Sequence, residues 1–400
     1  MRNGWAETTL GDVAEWWSGG TPKAREPKYY ENGTIPWAVI ADMNKGIIDS
    51  TNSYITKEAL ELIGGRLAPV GSVLISMYAS VGKSAIANIP LATNQAIAWS
   101  IPNQKKIIPF YLYLVSQQLE KEISDLARGA TQRNINRQML REFTFQLPPL
   151  PEQKRIVDLI SSVDSYNKAL QQQLESAKRS RNAVLHALLT AGGDDWLRAG
   201  LSEICTMIKR GQAPSYTEQR SVTVLNQKCV RNGRIQFEFA RQTDSNTKPI
   251  NEWAYLRAED TLVNSTGVGT LGRVAFVGPQ DEPLTVDSHL TIVRPDENKI
   301  QPSFLGLSLH FREADIEGLA AGSSGQTELS REALGNLIIT IPPIPEQKRI
   351  VEIITSMDKV TNQTQQTITE SQNLRSGLLS DLLSGEHEIP SSYDKVIGAA

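Results

Sequence analysis

The sequence predicts an α+β protein in which a β-rich domain and a long helix occur twice in succession. Two observations carry this. The string Pro148-Pro149-Leu150-Pro151-Glu152-Gln153-Lys154-Arg155-Ile156-Val157 returns as Pro342-Pro343-Ile344-Pro345-Glu346-Gln347-Lys348-Arg349-Ile350-Val351, 194 positions later. Each copy opens a stretch with apolar residues at helical spacing, and each follows a segment of short apolar runs punctuated by Gly, Pro and Asn. The chain therefore divides into a first domain (1–147), a first helix (148–193), a second domain (194–341), a second helix (342–385) and a flexible tail (386–400).

In the first domain the runs Ile35–Ile40, Val73–Met77, Ala85–Ile89 and Ala96–Ile101 read as strands. Lys57–Ile63 and Pro109–Arg128 read as helices. The second of these is supported by Leu112, Val115, Leu119, Ile123 and Leu126 at helical spacing. From Pro151 the pattern changes to a seam at Ile156, Ile160, Val163, Leu170, Leu174, Ala177, Val184 and Leu188, interrupted by polar Asn167 and Arg181. Proline suits the first helical turn, Glu152 complements its positive end, and Gly192-Gly193 ends it. About forty residues at 1.5 Å rise give a rod of roughly 60 Å. Trp196 begins the second domain. Pro345 restarts the helix with a seam at Ile350, Ile354, Met357, Ile368, Leu378 and Leu382, more polar in its middle at Thr361, Thr364 and Ser371. One such helix alone is marginal in water, so the two are expected to pack on each other, side by side along their seams.

The domains are related more faintly than the helices. Ser80-Val81-Gly82-Lys83-Ser84-Ala85-Ile86 parallels Thr270-Leu271-Gly272-Arg273-Val274-Ala275-Phe276, and Arg137 parallels Arg331. Near-copy rods with diverged domains suggest one shared task for the rods and two different tasks for the domains.

Composition excludes little. A hydrophobic share of 40% and a charged share of 21% are ordinary for a globular chain. A net charge of −3 gives no global signal for nucleic acid, so local clusters decide. Cys205 and Cys229 have neither metal nor disulfide-framework spacing. No run reaches the ~18–20 apolar residues of a membrane span, and the first residues lack the apolar core of a signal peptide, so the expected compartment is the cytoplasm with no membrane partner. His186, His289, His310 and His387 are scattered without metal-like neighbours. His289 falls in an apparent strand, Ser288–Ile292.

Several strings imitate chemistry. Gly267-Val268-Gly269-Thr270-Leu271-Gly272 matches the dinucleotide fingerprint, but a strand-like run follows where a helix is required, so a glycine-rich hairpin is expected. Gly82-Lys83-Ser84 lacks the earlier glycine of a phosphate loop, since Met77 stands there. Glu152-Gln153-Lys154 imitates a nuclease motif but sits at a proline-led helix start and recurs, which favours a helix-start or contact role. No nucleophile stands beside a base pattern, and no Asn/Asp-Pro-Pro-aromatic motif of an amino-methyltransferase is present.

The basic clusters say more. Arg128, Arg133, Arg137 and Arg141 fall in an acid-free window that also holds Gln132 and Asn134, residue types that contact phosphates and base edges. Lys23, Arg25 and Lys28 lie beside Tyr29 and Tyr30. In the second domain Lys209, Arg210, Arg231 and Arg234 dominate.

This ordered, duplicated set resembles the specificity (S) subunit of type I restriction–modification enzymes, over nearly the whole chain. The resemblance implies two target-recognition domains, each reading half of a split sequence in double-stranded DNA. It implies that the two long helices form an antiparallel coiled coil, with a pseudo-two-fold internal repeat, that sets the unread spacer and docks two methyltransferase (modification) subunits, with restriction/translocase subunits joining them. It also implies that the chain is not itself an enzyme and carries no cofactor or metal. S-adenosylmethionine would serve the modification subunit, and ATP with Mg the restriction subunit. Carried over residue by residue, DNA contacts are expected at Lys23, Arg25, Lys28, Lys83, Arg128, Gln132, Arg133, Asn134, Arg137 and Arg141. In the second domain they are expected at Lys209, Arg210, Arg231, Arg234, Arg273 and Gln326. Partner contacts are expected at Glu152, Gln153, Arg155, Glu346, Gln347 and Arg349. The segment after Gln326 departs from the pattern, because the basic and amide residues of the first copy are mostly missing there. The competing readings are a protein-binding scaffold and an autonomous nuclease or methyltransferase.

Overall fold

The computed structural model describes residues 4–24, 26–129, 134–219, 221–320 and 328–394. Four helices among them exceed six residues: α1 (Pro109–Gly129), α2 (Leu150–Thr190), α3 (Pro302–Phe311) and α4 (Ile344–Ser384). The chain forms two compact units, 1–171 with 366–400, and 172–365. Each unit holds one β-rich domain, half of α2 and half of α4.

In the first unit a five-stranded sheet runs in the order Ala14–Ser18, Ile97–Pro102, Val73–Ser76, Ser84–Ala87 and Ile47–Ile48. The first four are antiparallel neighbours and the last pair is parallel. Val73–Ser76 and Ser84–Ala87 are buried throughout, which is why they read as unbroken apolar runs rather than alternating ones. A three-stranded sheet of Ser53–Ile55, Ile35–Ala38 and Ala92–Thr93 lies in the same domain. Helix α1 buries Leu112, Val115, Leu119 and Ile123 as the spacing predicts. Leu126 is instead 45% exposed, and Ala127 takes the inward position beside it.

The second unit repeats the scheme. Cys205–Arg210, Leu290–Pro295, Thr261–Asn264 and Val274–Phe276 form an antiparallel four-stranded sheet, with the connectivity of the first four strands of the earlier sheet. A second four-stranded sheet joins Tyr216–Thr217, Arg241–Thr243, Val222–Leu225 and Leu284–Val286. The strand expected around His289 starts at Leu290, and His289 sits in the preceding turn, with its backbone N–H donating to Asp287 (2.9 Å).

Both domains are closed by a two-stranded pair that brings the incoming and outgoing chain together. Ala6–Thr9 pairs with Thr144–Leu147, and Leu197–Gly200 with Ile338–Ile341. The long helices follow at once. Ile156 and Ile160 of α2 are buried in the first unit's core with Leu379, Leu382 and Leu383 of α4, each such side chain contributing about 1.5–3 kcal/mol. In the second unit Ile350 of α4 joins the core, and Leu188 and Leu189 of α2 pack against it. The beginning of one helix thus meets the end of the other, and the pair is antiparallel. One interruption of the seam, Arg181, has a structural cause. In the second unit Arg181 forks onto Asp358 (3.0 and 3.1 Å). In the first, Arg375 does the same to Asp164. Arg375 and Asp358 are Arg181 and Asp164 advanced by 194 positions, so one ion pair appears twice, reciprocally.

The tail departs from expectation. Ile389 is buried in the first unit's core, Tyr393 packs on it, and Asp394 accepts from Arg155 (3.0 Å). Residues 386–394 are therefore docked rather than free.

Candidate nucleic-acid interface

The repeated Pro-Glu-Gln entry is an internal clasp. In the first unit the buried Gln153 accepts from the backbone N–H of Ile108 (2.9 Å) and donates to the carbonyls of Lys106 and Pro148 (both 2.9 Å). Ile108 directly precedes α1, so the amide ties the start of the domain's helix to the start of the long helix. Trp5 Nε1 donates to Glu152 Oε2 (3.0 Å), which holds the first strand against the same corner. The second unit repeats the main parts. Gln347 accepts from Gln301 N–H just ahead of α3 (2.8 Å) and donates to Pro342 O (2.7 Å), and Trp196 Nε1 donates to Glu346 (3.2 Å). Of the residues expected to contact partners, Glu152, Gln153 and Gln347 are buried and Glu346 is half-buried, and each is bonded within its own unit, as buried polar groups require. Of the six, Arg155 is half-buried against Asp394, and Arg349 is exposed.

The basic residues separate into those with acidic partners and those without. Lys23 pairs with Glu26 (3.3 Å) and Lys28 with Glu58 (2.7 Å), and the Glu58 bond holds the Lys28 ammonium above the ordinary lysine range. Tyr29 beside them is buried, with Lys28 Nζ 4.6 Å from its ring centre. Arg128 pairs with Asp125 (3.4 Å), an acid just outside the window that looked acid-free. Arg137 and Arg141 are exposed on a short helix capped by Asn136, whose side chain accepts from Met139 N (2.9 Å), and Asn134 is half-buried just ahead of it. Arg331 opens the corresponding helix of the second domain, capped by Ser330. Arg25, Gln132, Arg133 and Gln326 lie outside the described residues.

In the second domain Lys209, Arg210, Gln212, Trp253, Glu328 and Arg331 line a cleft of about 850 Å³. Lys209 Nζ lies 5.2 Å from the Trp253 ring, while Arg210 bonds Glu328 and the Leu329 carbonyl (2.7 Å). Arg231 stacks on Phe239 at 4.5 Å, and Arg234 lines a separate cleft of about 730 Å³ with Lys178 and His310. Sequence reasoning missed the Phe239 contact and three longer-range ones: Trp253 under Lys209, Tyr216 under Arg241 (3.5 Å) and Trp17 under Arg66 (3.7 Å). Their partners are far apart in the chain, and no local pattern announces them.

The two glycine hairpins match in detail. Val73–Ser76 pairs with Ser84–Ala87, and Thr261–Asn264 with Val274–Phe276, so Gly267–Gly272 is a strand-to-strand turn and not a nucleotide loop. Gly82 and Gly272 adopt positive φ (89° and 83°), and a Cβ at either would strike the carbonyl of Glu120 (2.6 Å) or Glu313 (2.9 Å). Lys83 bonds the Asn44 carboxamide, and Arg273 Nη2 donates to Gly269 O (2.6 Å). Beside the first hairpin a cleft of about 600 Å³ reaches Arg128. Among the described residues no His/Cys/Asp/Glu group could hold a metal ion, and no helix is long and apolar enough to cross a membrane. Burial pushes the Cys205 thiol up to about 12.

The chain matches the family model of the type I restriction modification DNA specificity domain twice, over residues 2–177 and 193–371. The EcoR124I/EcoR124II specificity subunit of Escherichia coli is 29% identical over 175 residues, which span 42% of each chain. The StySPI specificity subunit of Salmonella potsdam is 23% identical over 418 residues, spanning 96% of this chain and 90% of that one. Among solved structures, a type I restriction–modification S subunit from M. genitalium aligns over 98% of both chains with a TM-score of 0.57 at 14% identity. A chain from work on complex assembly and conformational transition of the type I R-M system aligns over 96% of this chain and 98% of its own, with a TM-score of 0.65 at 17% identity. These likenesses are of fold.

Proposed function

The chain belongs to the type I restriction–modification DNA specificity family, and from that premise we propose that it is the DNA-reading, non-catalytic subunit of a methyltransferase complex. Each β-rich domain reads one half of a split target in double-stranded DNA. The antiparallel helices set the unread spacer and, with the adjoining entry arginines, dock two modification subunits, to which restriction/translocase subunits add. S-adenosylmethionine belongs to the modification subunits, and ATP with Mg to the restriction subunits. The observation that carries the reading is one frame used twice with different faces. The clasp, closing strands and ion pair recur almost residue for residue. The basic and aromatic surfaces between them diverge: Arg137 recurs as Arg331, but Gly335 stands at the place of Arg141, and in the second domain Lys209 lies against the Trp253 ring. Exposed cations position a protein on phosphates, and side chains over base edges specify sequence.

The test is methylation mapping in cells that express this chain with its neighbouring methyltransferase subunit, against cells without it. A split adenine-methylated motif that disappears with the chain is the expected result. An unchanged methylation pattern, with the methyltransferase subunit active, would point to a protein-binding scaffold instead.

A further inference from the structure

We propose that the tips of the two glycine hairpins, Val268 in the second domain and Tyr78 in the first, are the side chains that enter the DNA groove and pack on base edges, while Lys83 and Arg273 behind them only brace the hairpins. This deepens the DNA-reading assignment and rests on it.

Val268 is 91% exposed, more than any other large apolar side chain among the described residues. It does not sit on a slack loop. Asn264 at the hairpin base donates to Gln227 O (3.0 Å) and Thr270 O (2.9 Å). The N–H groups of Thr270 and Leu271 both return to Gly267 O (3.1 and 3.0 Å). Gly267 and Gly269 flank Val268 at positive φ (103° and 69°), a backbone that lifts the residue between them clear of the surface. Arg273 fastens the far side by its bond to Gly269 O. A braced loop that holds an aliphatic side chain in water gains nothing for folding, because no apolar area is removed from solvent.

The first domain arrives at the same arrangement with other residues. Counting back from the paired Gly82-Lys83 and Gly272-Arg273, Ala79 falls opposite Gly269 and Tyr78 opposite Val268. Ala79 holds positive φ (57°), a strained state for a residue with a Cβ. Tyr78 is 43% exposed, and its carbonyl is held by Ser76 Oγ (2.7 Å). Lys83 N–H returns to Ser80 O (3.2 Å) as Arg273 N–H returns to Thr270 O (3.3 Å). Two diverged domains thus keep a rigid hairpin with an exposed apolar or aromatic tip, and change which residue stands there. Phosphate contacts carry no sequence information, whereas an apolar side chain distinguishes a thymine methyl from its absence or wedges a base step. A tip that differs between the domains suits two different half-sites.

The experiment uses the full chain in complex with its methyltransferase subunit. Cognate and scrambled duplexes are titrated, and the methylated motif is mapped, for the native chain, Val268→Ser, Val268→Ile and Tyr78→Ser. Val268→Ser is expected to weaken cognate binding at least tenfold or to relax the second half-site alone, and Tyr78→Ser to act likewise on the first. Binding to scrambled DNA and its salt slope stay unchanged, since no charge is removed. Val268→Ile keeps cognate affinity. A loss under tenfold with an unaltered motif in both serine variants overturns the proposal while leaving the DNA-reading assignment intact. A native complex that binds cognate and scrambled DNA equally sinks the assignment itself.

Discussion

Gln153 and Gln347 each hold a helix start with one buried carboxamide. Gln153→Ala leaves the Ile108 N–H and two carbonyls without their partner, a loss of at least about 3 kcal/mol if each of the three orphaned groups costs about 1–3. The unfolding midpoint of the variant in denaturant measures it; an unchanged midpoint would mean that water replaces the amide. Asp287 is a residue whose cost varies with pH. Burial holds its carboxyl above the ordinary carboxylate range. A raised folded value means that the folded chain binds the proton more tightly than the unfolded one. Stability from this group is therefore full below the ordinary value and is lost as pH rises through the raised one. Asp287→Asn keeps an acceptor for His289 N–H and removes the charge, so it is expected to stabilise the domain at neutral pH by an amount that shrinks on acidification. Equal melting temperatures at pH 4 and pH 7 relative to the native chain would refute this. Such roles were only partly legible in the sequence. The repeat marked Gln153 and Gln347 as important, but direction was invisible: an exposed contact and a buried clasp leave the same string. Lys28 looked free because its partner Glu58 is thirty positions away, whereas the partner of Lys23, Glu26, stands three positions on.

Among elements, the paired helices were the most legible part. The seam positions of α2, including polar Asn167 and Arg181, are its buried and half-buried side chains. Periodicity exposes such a stripe directly, because helical geometry repeats on itself without reference to distant residues. The polar breaks could not be assigned a partner until the antiparallel pairing set Arg181 against Asp358 and Arg375 against Asp164. Both arginines are mostly buried, so Arg181→Ala strands a half-buried carboxylate and is expected to destabilise the second unit by about 1–3 kcal/mol. The double exchange Arg181→Asp with Asp358→Arg should recover most of that, as read by a double-mutant cycle in thermal unfolding. No recovery would show that the arginine acts by packing alone. The strands were less clear: their existence was readable, but sheet order was not, because the ladders join segments tens of residues apart.

For the whole molecule, both long helices count forty-one residues. Removing one heptad from each, between the two ion pairs, shortens a rod by about 10 Å, the rise of about three base pairs. The expected outcome is a methylated motif with both half-sites intact and a shorter spacer. A change in the half-sites with the spacer preserved would show that the helices are not the ruler.

Thr9 stands opposite Thr144, and Gly200 opposite Ile338, so each recognition domain leaves its frame through the same doorway by which it entered. Such a domain is an interchangeable cartridge: its frame holds it by two adjacent chain ends, one glutamine latch and the apolar face of the long helices. A chain carrying residues 201–337 in both frames should assemble as before and methylate a palindrome, the second half-site facing its own mirror copy. Target change then requires no refitting of the machine around it, only the exchange of one contiguous stretch of gene.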